Sequence, residues 1–267
     1  IQEGNLVGVA AGMCLTGKIP YIHTFAPFVT RRAYDTTFVS GAYAKLNIRL
    51  TGSDPGVTAA YNGGTHMAFE DVGIMRNIPD ITIIDITDGT MLRDAILQSA
   101  ETYGMFYFRF ARGRTAAAVY EDGHRFVFGK ANVLSEGEDV SIIACGIMVE
   151  KALEAASVLK EKGISARVVD IYTIKPIDRQ CILRCAAETG AVVTAENHSV
   201  INGLGNAVAA VLATESPCPL GIVGVQDKFG EVGDEDYLIE RFRLRTEDIV
   251  SCALHTIAKK NKKVQDL

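Results

Sequence analysis

The sequence predicts an α/β fold made of two consecutive three-layer domains on parallel-type sheets. Three observations predict it. Short runs rich in β-branched and aromatic residues alternate with helical patterns of ten or more residues, which is the signature of strands covered on both faces by helices. The alternation breaks once, around Glu121-Asp122-Gly123-His124, which marks residues 118–135 as a linker between units at 1–117 and 136–267. The chain has 267 residues, 48% of them hydrophobic and 22% charged, enough to bury two sizeable cores.

The first unit opens with a helix over residues 1–13, with Glu3 at its start and Gly4, Gly8 and Gly12 along one face. Each interior glycine costs a helix roughly 1 kcal/mol relative to alanine. The stripe therefore implies that another backbone comes close, within the domain or at a junction between subunits. Residues 18–25 read as a strand, and 29–46 as a helix with Phe38, Ala42 and Leu46 on one face. A short strand at 47–51 runs into a long loop, 52–65, containing Asp-Pro-Gly and Asn-Gly-Gly. A loop of that length in an economical domain usually carries function. A helix at 66–75, a strand at 81–86, a helix at 89–102 and a strand at 105–111 follow.

The second unit begins with a strand at 139–145 and continues with helix 149–162, strand 166–171, helix 178–188 and strand 191–195. Helix 203–213, strand 221–225 and helices at 235–243 and 246–259 close it, ahead of a solvated lysine-rich tail.

A net charge of -5 and a pI near 5.6 argue against a nucleic-acid partner. The apolar run 6–15 is too short and glycine-rich to cross a bilayer. The start shows no basic segment or cleavage pattern of a secretory signal and lacks Met, so the true N-terminus is expected upstream. The six cysteines are scattered, and Cys181 and Cys185 have no second pair or nearby histidine to make a zinc site. They read as reduced thiols of a cytoplasmic protein.

Ligands of parallel sheets collect at the carboxyl ends of the strands, and four clusters converge there. Glu3 leads an apolar helix, where an acid at least complements the helix dipole. His23, Phe25 and Phe28 leave a strand end. Asn62-Gly63-Gly64-Thr65-His66 has glycines that let backbone approach a ligand. Arg109, Arg112 and Arg114 form an arginine-rich strand end suited to a phosphate or a carboxylate.

Taken jointly and in this order, the motifs resemble the C-terminal half of transketolase, closest to the separate subunit found where that enzyme is split into two chains. They are Glu-Gly-Asn-Leu-Val-Gly-Val-Ala-Ala-Gly-Met, Phe-Ala-Pro-Phe-Val-Thr-Arg-Arg-Ala-Tyr-Asp, Gly-Gly-Thr-His-Met-Ala-Phe-Glu-Asp and Met-Arg-Asn-Ile-Pro, then Glu196-Asn197-His198, Gly203-Leu204-Gly205 and Asp227-Lys228-Phe229-Gly230. The resemblance implies a pyrimidine-binding domain, N-terminally incomplete here, followed by a transketolase C-terminal domain. It implies thiamine diphosphate as cofactor, shared with an N-terminal partner subunit that holds Mg²⁺ and the diphosphate, in an α2β2 heterotetramer. The implied reaction moves a two-carbon ketol unit from a ketose phosphate to an aldose. Glu3 then matches the glutamate on the cofactor pyrimidine, Phe25 and Phe28 the bracketing aromatics, and His66 a histidine on substrate hydroxyls with a catalytic part. Arg112 matches the arginine that grips the sugar phosphate, with Arg31, Arg109 and His23 as further substrate contacts.

Two positions depart from the family pattern. Asn62 stands where most relatives carry aspartate, and the histidine that usually follows the second strand aligns with Gly52 or Asp54. Both changes point to an unusual ketose or acceptor. A deoxyxylulose-phosphate-synthase-like enzyme, a 2-oxoacid dehydrogenase β-type subunit and a non-catalytic scaffold subunit are the alternatives. The second domain reads as packing and dimerisation, with Glu196-Asn197-His198 the one motif that such a role leaves unexplained.

Overall fold

The computed structural model describes residues 1–113 and 118–265. Arg114 lies outside the described residues. The first sheet is built from β1 (Tyr21–Phe25), β2 (Arg49–Ser53), β3 (Thr82–Asp85) and β4 (Phe106–Phe110), parallel in the order β1-β2-β4-β3. Their register puts Phe25 beside Ser53 and Ser53 beside Phe110, so three loops leave one carboxyl edge together. Helix α1 (Glu3–Leu15) covers this sheet through Val7, Ala10 and Ala11.

The expected helix over 29–46 is not regular. A three-residue α turn, α2 (Tyr34–Thr36), sits between wide π turns at Phe28–Arg32 and Thr37–Tyr43. The Thr30 hydroxyl donates back to the Ala26 carbonyl at 2.7 Å, the kind of local competition that bends helices. Of the helix expected at 66–75 only α3 (Asp71–Met75) forms, which leaves His66 on a turn. Helix α4 (Gly89–Glu101) is capped by the Asp88 carboxylate on the Met91 amide at 2.9 Å.

The stretch expected as a linker packs against the domains and adds an edge strand. Residues 132–135 form β5 (Asn132–Ser135), an antiparallel edge strand of the second sheet, while Tyr120 and Phe126 are buried in a core cluster with Phe106 and Phe108. Apolar residues spaced between polar ones supplied that anchoring. The second sheet has the order β10-β9-β6-β7-β5, with β6 (Val140–Ala144), β7 (Ala166–Asp170), β9 (Val192–Ser199) and β10 (Leu220–Val225) parallel. Helices α5 (Met148–Glu161), α6 (Arg179–Thr189), α7 (Leu204–Glu215), α8 (Glu235–Arg241) and α9 (Thr246–Gln265) complete the domain.

One strand crosses between the units. β8 (Thr173–Lys175) leaves the second domain and pairs antiparallel with β3, Ile83 opposite Lys175 and Ile84 opposite Thr173. The first sheet thus takes its fifth strand from the second domain. Among the described residues, no helix is long and apolar enough to cross a membrane, and all six cysteines are free thiols.

Candidate functional site

At the carboxyl edge of the first sheet, Phe25 ends β1, and Phe28 opens the π turn that follows it. His66 stands edge-on to both rings, with centroids 5.2 Å from Phe25 and 4.9 Å from Phe28, while the two phenylalanines lie 6.1 Å apart. All three are half-buried, so they present aromatic faces to the edge without being core. The His66 Nδ1 is within 2.9 Å of the Thr65 hydroxyl.

Glu3 is the first residue of α1 and only 1% exposed. Its Oε2 accepts from Arg32 Nη1 at 2.8 Å, and Arg32 also lies 4.3 Å from the Phe28 ring centroid. Its Oε1 is buried with no hydrogen-bond partner among the described residues. Burial alone would raise the pKa, but the hydrogen bond and charge of Arg32 outweigh it and hold the carboxyl below its ordinary value. A buried carboxylate oxygen left without a donor is costly. Next to stacking faces, it is an acceptor that fits an N–H of a planar aromatic ligand.

The next stretch of the edge carries charge. Asp54 follows β2 and is 5% exposed. Its Oδ1 accepts from the Arg112 amide at 2.8 Å and its Oδ2 from Arg112 Nε at 2.6 Å. The Arg112 guanidinium lies 4.7 Å from the Phe25 ring centroid. His23 stacks on Phe110 at 5.7 Å and meets the Thr51 hydroxyl at 3.0 Å, and burial together with the Arg112 charge pushes its pKa down. Between the two positions that could replace the family histidine, the structure distinguishes clearly. A Cβ on Gly52 would strike the Tyr107 hydroxyl at 2.7 Å and the Ala26 Cα at 2.9 Å, so only position 54 carries a side chain to the edge.

Arg31 pairs with Glu70 at 2.8 Å and donates to the Thr65 carbonyl at 3.3 Å, on the rim beside His66. Asn62 is exposed and folds back on its own turn, donating to the Ala59 carbonyl at 2.8 Å. The glycines of Asn-Gly-Gly serve a different end from the one expected. Gly64 lies against the Gly230 carbonyl and Gly63 against Val232, so they admit the second domain's loop rather than a ligand.

Arg109 is a correction. It is 1% exposed, with Nε on Asp71 at 2.8 Å, Nη1 on Asp85 at 2.9 Å and Nη2 on the Asn197 carbonyl at 2.5 Å, so it does not face the edge as a substrate contact. Strand alternation is the reason. On β4, Arg109 shares a face with Tyr107, whose hydroxyl also donates to Asp71 at 2.7 Å, and opposes Phe108 and Phe110. The signal was in the Phe-Tyr-Phe-Arg-Phe order itself.

Glu196-Asn197-His198 on β9 meets this buried cation and resolves the unexplained motif. Glu196 accepts from the Leu204 and Gly205 amides at 2.6 and 2.8 Å, capping α7, and burial pushes it up to about 7. Asn197 accepts from the Val57 amide and donates to the Pro55 carbonyl, both at 3.0 Å, gripping the loop that follows Asp54. His198 Nε2 accepts from the Gly73 amide at 3.2 Å, and burial pushes its pKa down to about 4. The second domain therefore braces the first domain's loops.

Comparison with known proteins identifies both domains. Residues 1–117 match the transketolase pyrimidine binding domain and residues 129–249 the transketolase C-terminal domain. The chain belongs to the transketolase family. Transketolases transfer ketol units with thiamine diphosphate and a divalent metal. The chain is 49% identical to the 6-deoxy-6-sulfo-D-fructose transketolase subunit SqwH of Clostridium sp. (strain MSTE9), over 98% of its own length and 81% of that protein. It is 38% identical to the putative transketolase C-terminal section of Methanocaldococcus jannaschii, over 97% and 82% of the two chains. A solved structure described as a split gene transketolase, inactive beta4 tetramer, superimposes with a TM-score of 0.90 at 42% identity, over 97% and 83% of the two chains.

Proposed function

We propose that this transketolase-family chain is the C-terminal subunit of a split enzyme, completing its site with an N-terminal partner in an α2β2 assembly in the cytoplasm. The observation that carries the reading is the unpartnered, buried Oε1 of Glu3 beside the Phe25–Phe28–His66 corner. Those residues fit the aminopyrimidine end of thiamine diphosphate, with Glu3 as acceptor and Phe25 and Phe28 as stacking faces. Bound there, the cofactor supplies the carbon nucleophile and electron sink for breaking a carbon–carbon bond next to a carbonyl. The diphosphate and Mg²⁺ fall to the partner, because the resemblance places their anchoring Gly-Asp-Gly type signature on the N-terminal half of the enzyme.

Within the chain, Arg32 holds Oε2, so Glu3 exchanges a proton at Oε1 from a fixed orientation. His66, with Nδ1 at the Thr65 hydroxyl, keeps Nε2 for a substrate hydroxyl. Arg112, Arg31, His23 and Asn62 receive the remainder of the sugar. On α1, an added Cβ at Gly8 or Gly12 would meet no described atom within 4 Å beyond its own stretch of helix, and Val9 and Met13 are 54% and 44% exposed. That open stripe supports contact with a neighbouring subunit. The test is reconstitution of the chain with its N-terminal partner, thiamine diphosphate and Mg²⁺. Ketol transfer from a ketose to an aldose is expected of the pair and of neither chain alone. Pyruvate decarboxylation as the main activity, or no transfer from any ketose, refutes the reading.

A further inference from the structure

The charged end of this edge carries its own counter-charge. Asp54 takes two donors of Arg112, the amide and Nε, at 2.8 and 2.6 Å, which leaves at most the Nη groups of that arginine for a ligand. The aspartate is held there at a backbone φ of 50°, a conformation that non-glycine residues seldom adopt, and its amide donates to the Phe110 carbonyl at 2.8 Å. Strain of this kind persists where the surroundings over-determine it and gathers at functional sites. Arg112 is half exposed above Phe25, so the pair faces the space in front of the aromatic corner.

Among the described residues, the neighbours do not restore positive charge. His23, exposed against Phe110, is pushed toward its neutral form by partial desolvation and by Arg112. Arg31 is matched by Glu70 and Arg32 by Glu3. Each described arginine at this edge therefore meets a carboxylate. A phosphate monoester brings roughly -1.5 to -2 charges at neutral pH and three acceptor oxygens. Against an edge whose described arginines are already matched and that holds a nearly buried carboxylate, the second charge finds no free described arginine, whereas a single charge still finds the Nη donors.

We propose that Asp54 is a specificity residue that, acting through Arg112, limits the far end of the sugar substrate to at most one negative charge, a sulfonate or carboxylate in preference to a phosphate monoester. This rests on the ketol-transfer reading above. The experiment uses the reconstituted two-subunit complex with thiamine diphosphate and Mg²⁺. Three donors that differ only at carbon six are compared by kcat/KM: D-fructose, 6-deoxy-6-sulfo-D-fructose and D-fructose 6-phosphate. The wild-type complex is expected to use the sulfonate at least about tenfold better than the phosphate, and Asp54→Asn to shrink that ratio about tenfold through the KM of the phosphate. A phosphate preference in the wild type, a measurement that needs no variant, overturns the inference and leaves the ketol-transfer reading standing. So does an unchanged ratio in an Asp54→Asn complex that melts like the wild type. No turnover of any of the three donors refutes the reading and the inference together.

Discussion

Asn197→Ala removes the clamp between the second domain and the loop that carries Asp54. Its side chain accepts from the Val57 amide and donates to the Pro55 carbonyl, both at 3.0 Å, and Val57 is fully buried. Gly56, between them at a φ of 58°, lies so close that a Cβ there would overlap the amide of Asn197. The substitution therefore leaves two polar groups without partners in a space too tight to rearrange freely. At about 1–3 kcal/mol for each buried group orphaned, less whatever water restores, the expected loss is about 2–4 kcal/mol. Denaturant unfolding measures the total, and amide exchange at Val57 locates it. Local opening should accelerate that exchange by roughly ten- to a hundredfold while the central strand β6 exchanges much as before when opening stays local. In the assembled complex KM should rise more than kcat falls, because the loop holds substrate-end residues. A loss below about 1 kcal/mol with Val57 exchange unchanged refutes the reasoning.

Two further outcomes concern pH. Arg32→Ala removes the main partner that lowers the Glu3 pKa, so burial weighs more heavily and the pKa rises. In the wild type the depressed pKa contributes stability above the unfolded value that is lost as pH falls through the folded one. The variant's acid limb, in both unfolding and kcat/KM profiles, should therefore move to higher pH. Asp170 accepts from the Thr87 and Tyr120 hydroxyls at 2.7 and 2.8 Å, yet burial pushes it from 3.8 up to about 7. With the folded pKa above the unfolded one, its contribution is fully present below about 3.8 and is lost as pH rises through about 7. Asp170→Asn keeps both acceptor contacts and removes the titration. It should be about 2–4 kcal/mol more stable than wild type at pH 8, with the gap narrowing below pH 7 and closing near pH 4 in thermal or urea unfolding.

The strand–helix alternation was legible because buried parallel strands leave dense apolar runs, and most strands and long helices lie within a few residues of where the pattern puts them. Regular periodicity misled at Phe28–Tyr43, where the Thr30 hydroxyl and Pro27 favour wide turns over an even helix. The packing of the stretch read as a linker was not legible because Tyr120 and Phe126 bury themselves one at a time, which no window of hydropathy registers. At the candidate site, the chain's own chemistry pointed to the carboxyl edge of the first sheet but not to the direction of each side chain. Arg109 was grouped with Arg112 by adjacency, although a period of two sends it to the opposite face, against Asp71 and Asp85. The roles of Asn197 and His198 depend on contacts more than 120 residues away in sequence, which spacing cannot reveal.

Replacement of Glu3 tests the central claim most directly. Glu3→Gln keeps the size of the side chain and an acceptor but ends proton exchange at this position. In the reconstituted complex kcat should fall at least about a hundredfold, the range expected of a positioned acid–base group, with assembly on the partner unchanged by sedimentation. Turnover close to wild type in that assembled complex would contradict the account.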